Sequence, residues 1–203
     1  MARISGKDAI KKAVKEYGGS GIGFFSLKND GDKAEARFLH TDDKDLDIFV
    51  VHKVKDKDDR DVYIECLQDD TCPLCASGAK PAIKVFLSLY DTNEDKVVVW
   101  DRGPGIIDQV LGLMDKYGQL NNRTYEIQRH GKSGDTKTSY QLLPNDKSDP
   151  VDKNGKPLEK RPDVLGRFVQ VLTAEEMQEF VAESTAVADR RERSTAARKG
   201  PGF

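Results

Sequence analysis

Between residues 22 and 103 the apolar residues recur with a period of two, and this alternation constrains the fold more than any other feature. A backbone whose side chains alternate between two faces is a β-strand with one buried side. The pattern predicts strands near 22–28 (IGFFSLK), 33–40 (KAEARFLH), 46–54 (LDIFVVHKV), 61–67 (DVYIECL), 82–90 (AIKVFLSLY) and 96–102 (KVVVWDR). Turn clusters such as NDGD, DKDDR and DTNED separate them. Two more strands follow near 122–130 (NRTYEIQRH) and 136–143 (TKTSYQLL), joined by GKSGD, and a returning strand near 164–172 (VLGRFVQVL).

Helices belong at the periphery of such a chain. One is expected over 5–17, opened by the capping-box spacing of Ser5 and Asp8. A second over 105–117 carries Ile107, Val110, Leu111 and Met114 on one face, with Gly118 past its end. Thr173 and Glu176 open a third, whose apolar face holds Met177, Phe180 and Val181. The stretch 144–163 has almost no apolar content and is expected to be a mobile loop or linker. The reading is mainly β with peripheral helices: a small barrel with insertions, because the βαβ alternation of a doubly wound sheet is missing. No phosphate-cradling GxGxxG or Walker loop is present either.

Thirty-three basic against thirty-five acidic side chains give a formal charge of −2, so the chain is no polybasic nucleic-acid coat, and any anion-binding surface must be local. No window approaches the ~18 consecutive apolar residues of a membrane span. The opening MARISGKDAIKKAVKEYGG lacks the apolar core of a signal peptide, so a soluble cytoplasmic protein with no membrane partner is expected.

Cys66, Cys72 and Cys75, the three cysteines of the chain, fall within ten residues. An odd number of thiols with no export signal argues against a disulfide framework and for a metal. The spacing His52-x13-Cys66-x5-Cys72-x2-Cys75 supplies a Cys3His set, one of the standard closed tetrahedra of structural zinc. Cys-Pro-Leu-Cys followed by Ala-Ser-Gly has the shape of a zinc knuckle. His52 and Cys66 share the parity of Ile48, Val50, Val54 and of Val62, Ile64, so a hairpin can turn both inward. His40 is the alternative fourth ligand, and His130, beside a glycine turn, reads as a surface residue. Zinc-dependent deaminases need a glutamate two places after the histidine; Lys53 and Val54 follow His52, so one structural zinc ion is the expectation.

Sorting the central strands by parity gives a second pattern. Lys84, Phe86 and Tyr90 share one face of their strand; Lys96, Trp100 and Arg102 share another; Arg123, Tyr125 and Arg129 share a third. Aromatic platforms beside cations are what single-stranded nucleic acid needs, since every base has a π-face and every nucleotide a phosphate. The same parity is compatible with Phe86 and Trp100 capping a second small core. Acidic runs at 41–47 and 56–61 read as solvated turns that discourage duplex binding.

GFFSLKNDGDKAEARFLH, then FVVHKV, CPLC, KVFLSLYD, VVVWDRG and NRTYEIQRHGKSGDTKTSYQL together resemble the single-stranded DNA-binding proteins of tailed bacteriophages, relatives of the T-even phage helix-destabilising protein. The resemblance covers roughly residues 20–143. It implies a five-stranded Greek-key OB-fold with an inserted zinc subdomain, in which His52, Cys66, Cys72 and Cys75 take the ligand places. On that basis residues 1–172 form the DNA-binding core, with the zinc subdomain at about 45–82, and 173–203 form a C-terminal helix and basic tail. It further implies a non-enzymatic protein that binds single-stranded DNA without sequence preference in the cytoplasm of an infected bacterium. Self-association along the strand follows, as do contacts with phage replication, recombination and repair enzymes. The chain departs from that family at its end, where Arg190, Arg191, Arg193, Arg198 and Lys199 replace an acidic tail; added phosphate contacts or contact with a neighbouring protomer is the expectation there. The alternatives are a zinc-ribbon protein-interaction module of a viral transcription or assembly factor, and a zinc hydrolase or deaminase.

Overall fold

The computed structural model describes residues 22–135, 137–158 and 160–184. The expected helix over 5–17 and the basic tail lie outside these residues. Within them the chain is mainly β with a few helices, as its periodicity predicts. The strands are β1 (Lys33–Phe38), β2 (Asp47–Lys55), β3 (Asp61–Glu65), β4 (Pro81–Asp91), β5 (Lys96–Arg102), β6 (Arg123–His130), β7 (Ser139–Lys147) and β8 (Val169–Gln170). The helices are α1 (Pro73–Ala76), α2 (Ile107–Tyr117) and α3, over 174–184.

Two compact units divide the described chain: residues 22–46 with 86–161, and residues 47–85 with 162–184. The first contains five strands in the order β7-β6-β1-β4-β5. β1 pairs antiparallel with both β4 and β6, placing Ala36 opposite Asp91 on one side and Tyr125 on the other. Ala36 and Phe38 are buried completely, which fits an alternating strand lying between two others. The Phe38 and Tyr125 rings meet edge to face at 5.0 Å, and Phe25 meets Trp100 the same way at 5.7 Å.

The predicted first strand, 22–28, is reduced to a parallel bridge between Phe24 and Val99. Asp32 explains why it stops: its carboxylate accepts the N–H groups of Lys28 at 2.9 Å and Asn29 at 2.7 Å, bending the chain into the turn before β1. α2 ends as its sequence predicts. Gly118 takes a φ of 75° and donates its N–H to the Met114 carbonyl at 2.7 Å, a left-handed stop that glycine adopts without strain.

Polar contacts recur among the described residues of the stretch 144–163, expected to be a mobile loop. β7 runs on to Lys147, with a bulge opposite Arg123 to Tyr125. Beyond it the Arg37 guanidinium donates to the Ser148 carbonyl at 3.1 Å and to its hydroxyl at 2.7 Å. Val151 bridges Pro157, and Lys153 pairs with Asp95 at 2.7 Å. A segment poor in apolar residues can be held by hydrogen bonds and ion pairs that composition does not reveal.

The second unit is built on the β2–β3 hairpin, with Val51 opposite Glu65 and Lys55 opposite Asp61. β8 adds to it in parallel, Tyr63 facing Val169. Its core joins Ile64, Cys66, Cys72 and Leu74 to Met177 of α3. α3 therefore packs with the cysteine-bearing segment.

Candidate metal centre and basic cleft

β2 carries His52 directly opposite Ile64 of β3, and Cys66 follows the end of β3, its N–H donating to the Val50 carbonyl at 2.9 Å. Cys72 caps the N-terminus of α1 with Pro73 in the first turn, where a missing N–H costs nothing. Cys75 lies within that one-turn helix, which brings both sulfurs to the hairpin.

The four ligand atoms lie within 4.8 Å of one another. Cys66 Sγ is 3.9 Å from Cys72 Sγ and 3.7 Å from Cys75 Sγ. His52 Nε2 is 3.5 Å from Cys72 Sγ and 3.6 Å from Cys75 Sγ. A disulfide needs sulfurs at about 2.0 Å, so these are thiols. A tetrahedron with metal–sulfur bonds of about 2.3 Å has edges near 3.8 Å, the spacing found here. The group can hold one metal ion. His52, Cys66 and Cys72 are buried, while Cys75 is exposed.

Although Cys75 is exposed as a residue, loss of solvation at its sulfur, reinforced by the adjacent Cys66 and Cys72 sulfurs, pushes its thiol up to about 12. Burial also opposes ionisation of Cys72, but N–H bonds from Cys75 and Leu67, with help from the neighbouring thiols, bring it below its ordinary value. Burial lowers His52, against a smaller opposing pull from the Ala79 backbone carbonyl. Nδ1 of His52 nonetheless lacks a hydrogen bond of good geometry, so that carbonyl is an orienting neighbour and not a full partner. Three crowded thiols and a neutral imidazole suit a divalent cation, which stabilises the thiolates that otherwise repel one another.

His40, the alternative ligand, lies elsewhere and is fully buried. Its Nε2 accepts the Ser88 N–H at 2.8 Å, so Nδ1 carries the proton and donates to the Asp45 carbonyl at 2.8 Å. His130 is exposed on β6.

The expected stacking face is corrected in part. Phe86, Trp100 and Tyr125 are fully buried and Tyr90 is 5% exposed, so these rings are core and offer no face to a base. Both parities of β4 are buried from Val85 to Asp91, which is why alternation could not separate a solvent face from a second core face. Burial also pushes the Tyr125 phenol up to about 12. Lys84 lies 5.6 Å over the Tyr63 ring, Lys96 pairs with Glu94 at 3.0 Å, and Arg123 stacks at 4.2 Å on Tyr117.

Arg102 and Arg129 do come together, around an aromatic residue that the parity argument passed over. Tyr140 of β7 sits opposite Arg129 of β6 in register. Its hydroxyl oxygen accepts from Arg102 Nη2 at 3.0 Å and from Arg129 Nη1 at 2.8 Å. The Arg102 guanidinium carbon lies 4.4 Å from the Tyr140 ring centre and 4.8 Å from that of Trp100. Tyr140 is half-buried and lines a cleft of ≈ 470 Å³ with Arg102, Pro104, Gln109, Arg129 and Thr138. The signal lay in the hairpin, because GKSGD fixes a register that puts Tyr140 across from Arg129.

Comparison of the chain with protein-family models, with curated proteins and with solved structures gives no match.

Proposed function

We propose that this chain is a single-stranded DNA-binding protein without sequence preference, its first unit an OB-fold barrel and its Cys3His group the site of one structural zinc ion. The observation that carries this reading is the Arg102–Tyr140–Arg129 arrangement at an open cleft. The Arg102 guanidinium, held on a half-buried aromatic, is suited to a phosphate; Arg129, itself buried, anchors that aromatic and spends its Nε and Nη2 on Gly131, Lys132 and Thr138, and the aromatic is suited to a neighbouring base or sugar. The five strands of that unit match the number in an OB barrel. The metal group holds one histidine and three cysteines with no carboxylate among them, which favours a closed structural site over a catalytic one.

On this reading the protein is not an enzyme. It coats and organises single strands during phage replication, recombination and repair in the host cytoplasm, associates with itself along the strand and meets replication and recombination enzymes there. No helix among the described residues is long and apolar enough to cross a membrane.

Fluorescence anisotropy with unstructured oligonucleotides of mixed sequence, at two salt concentrations and against duplex controls, tests the reading. Binding that prefers single strands, varies little with sequence and weakens with salt supports it. Equal affinity for duplex, or no binding at low salt, would overturn it.

A further inference from the structure

Residues 150–161 (PVDKNGKPLEKR) carry four basic side chains against two acidic ones, in a chain whose formal charge is −2. The segment is a strap tied to the first unit at several points. Lys153 pairs with Asp95, and its N–H donates to the Tyr90 hydroxyl at 3.3 Å. Asp152 is used inside the strap, one carboxylate oxygen accepting the N–H groups of Asn154 and Lys156 at 2.8 Å each. Lys156 and Lys160, by contrast, are exposed and make no ion pair among the described residues.

The strap is also the wall between two clefts. One, of ≈ 340 Å³, is lined by Lys96, Lys156, Lys160, Pro157 and Leu158, with the engaged Asp95 and Asp152 also contributing. The other, of ≈ 510 Å³, shares Pro157, Leu158 and Lys160 and adds Arg161. β5 connects this region to the arginine cleft. Lys96 begins that strand and Arg102 ends it. Six strand residues at about 3.3 Å each separate the two by about 20 Å, a span of several nucleotides.

We infer that the strap is a second phosphate-binding wall on the same nucleic-acid path, Lys96, Lys156 and Lys160 holding backbone phosphates of a single strand whose neighbouring nucleotides reach Arg102 and Tyr140. Pro157 and Leu158 supply an apolar ridge between the cations, against which sugars or bases pack. The inference rests on the single-stranded DNA reading above and names residues that neither the parity pattern nor the arginine cleft includes, apart from Lys96.

The test compares the full chain with two double variants of equal charge loss: Lys156→Gln with Lys160→Gln on the strap, and Lys28→Gln with Lys57→Gln as an exposed control. Binding of an unstructured oligothymidylate is followed across a salt series. Each lost phosphate contact flattens the plot of log affinity against log salt by about 0.7, so the strap variant should lose about 1.4 from the slope and bind about tenfold more weakly at physiological salt. The control should keep the parent slope. A strap variant with unchanged slope and affinity sinks the inference and leaves the DNA reading standing. Equal losses in both variants also sink it, because only bulk charge would then matter. If the parent chain binds no oligonucleotide, the DNA reading itself falls and this inference falls with it. Both pairs of lysines are exposed, so thermal unfolding should match the parent and exclude misfolding as the cause.

Discussion

Thr173 and Glu176 cap α3 reciprocally: the Thr173 N–H donates to Glu176 Oε2 at 2.8 Å, and the Glu176 N–H donates to Thr173 Oγ1 at 3.2 Å. The box satisfies two N–H groups that the first turn would otherwise leave open. It also fixes the start of α3 three residues ahead of Met177, which is fully buried in the core holding Cys66 and Cys72. Thr173→Ala should cost about 1 kcal/mol. Met177→Ala should cost about 2–5 kcal/mol, because it opens a cavity beside the metal ligands. Urea titrations of the zinc-loaded protein measure both, and a Met177→Ala loss below that of Thr173→Ala would contradict the packing described.

The metal centre predicts one divalent ion per chain. Structural zinc contributes on the order of 10 kcal/mol to the folding of small units, so Cys72→Ser should unfold the β2–β3 hairpin and α1 and release the metal. Elemental analysis and thiol titration check this together. A protein that binds no metal, or that keeps three freely titrating thiols after zinc loading, would contradict it. His40→Gln should leave the metal content unchanged, since both of its ring nitrogens are committed to Ser88 and Asp45.

The clustering of His52 with the three cysteines was legible in the sequence because its information is local. Two ligands on a tight turn and two at the ends of a hairpin need only strand parity to bring them together. The arginine cleft of the proposed DNA path was not legible in the same way. Parity says which residues share a side, but β4 is buried on both sides, so Phe86 lay among core residues while looking like a surface platform. Tyr140 escaped notice because its importance comes from the pairing register with Arg129 and from the approach of Arg102. The stretch 144–163 was read as a mobile loop because composition counts apolar residues and does not reveal the contacts of Arg37 with Ser148 and of Tyr90 and Asp95 with Lys153.

Trp100 and Tyr140 meet edge to face at 5.0 Å yet should respond to mutation in opposite ways. Trp100 is fully buried, so Trp100→Ala should cost about 3–5 kcal/mol of stability. Tyr140 faces the cleft, so Tyr140→Ala should cost about 1–3 kcal/mol of oligonucleotide binding with a smaller effect on folding. Trp100 emission should be blue-shifted and shielded from soluble quenchers in the free protein. Denaturation and binding curves for the two variants separate the roles, and a Tyr140→Ala protein that binds like the parent would remove the arginine cleft from the path.

Asp95 ties the strap to the turn between β4 and β5, accepting from Lys153 and from the Tyr90 hydroxyl. The Lys153 ammonium, and after it the Tyr90 hydroxyl, hold its carboxyl below the usual value. Asp45 is lowered as well, chiefly by the Thr41 hydroxyl and then by the Thr41 N–H. A carboxylate depressed in the folded state stabilises that state fully above its unfolded value of about 3.9 and loses the contribution as pH falls through the folded value. The strap should therefore stay closed from pH 8 to pH 5 and loosen only below about pH 4. Hydrogen exchange at the amides of Lys153, Asn154 and Lys156 reads this locally, because those N–H groups bond to Tyr90 and Asp152. Asp95→Asn should raise their exchange at pH 7 towards the rate the parent shows only in acid, and should weaken oligonucleotide binding as Lys156 and Lys160 lose their fixed positions. Protection unchanged by Asp95→Asn would show that Arg37 and the Val151–Pro157 bridge hold the strap without the Asp95 tie.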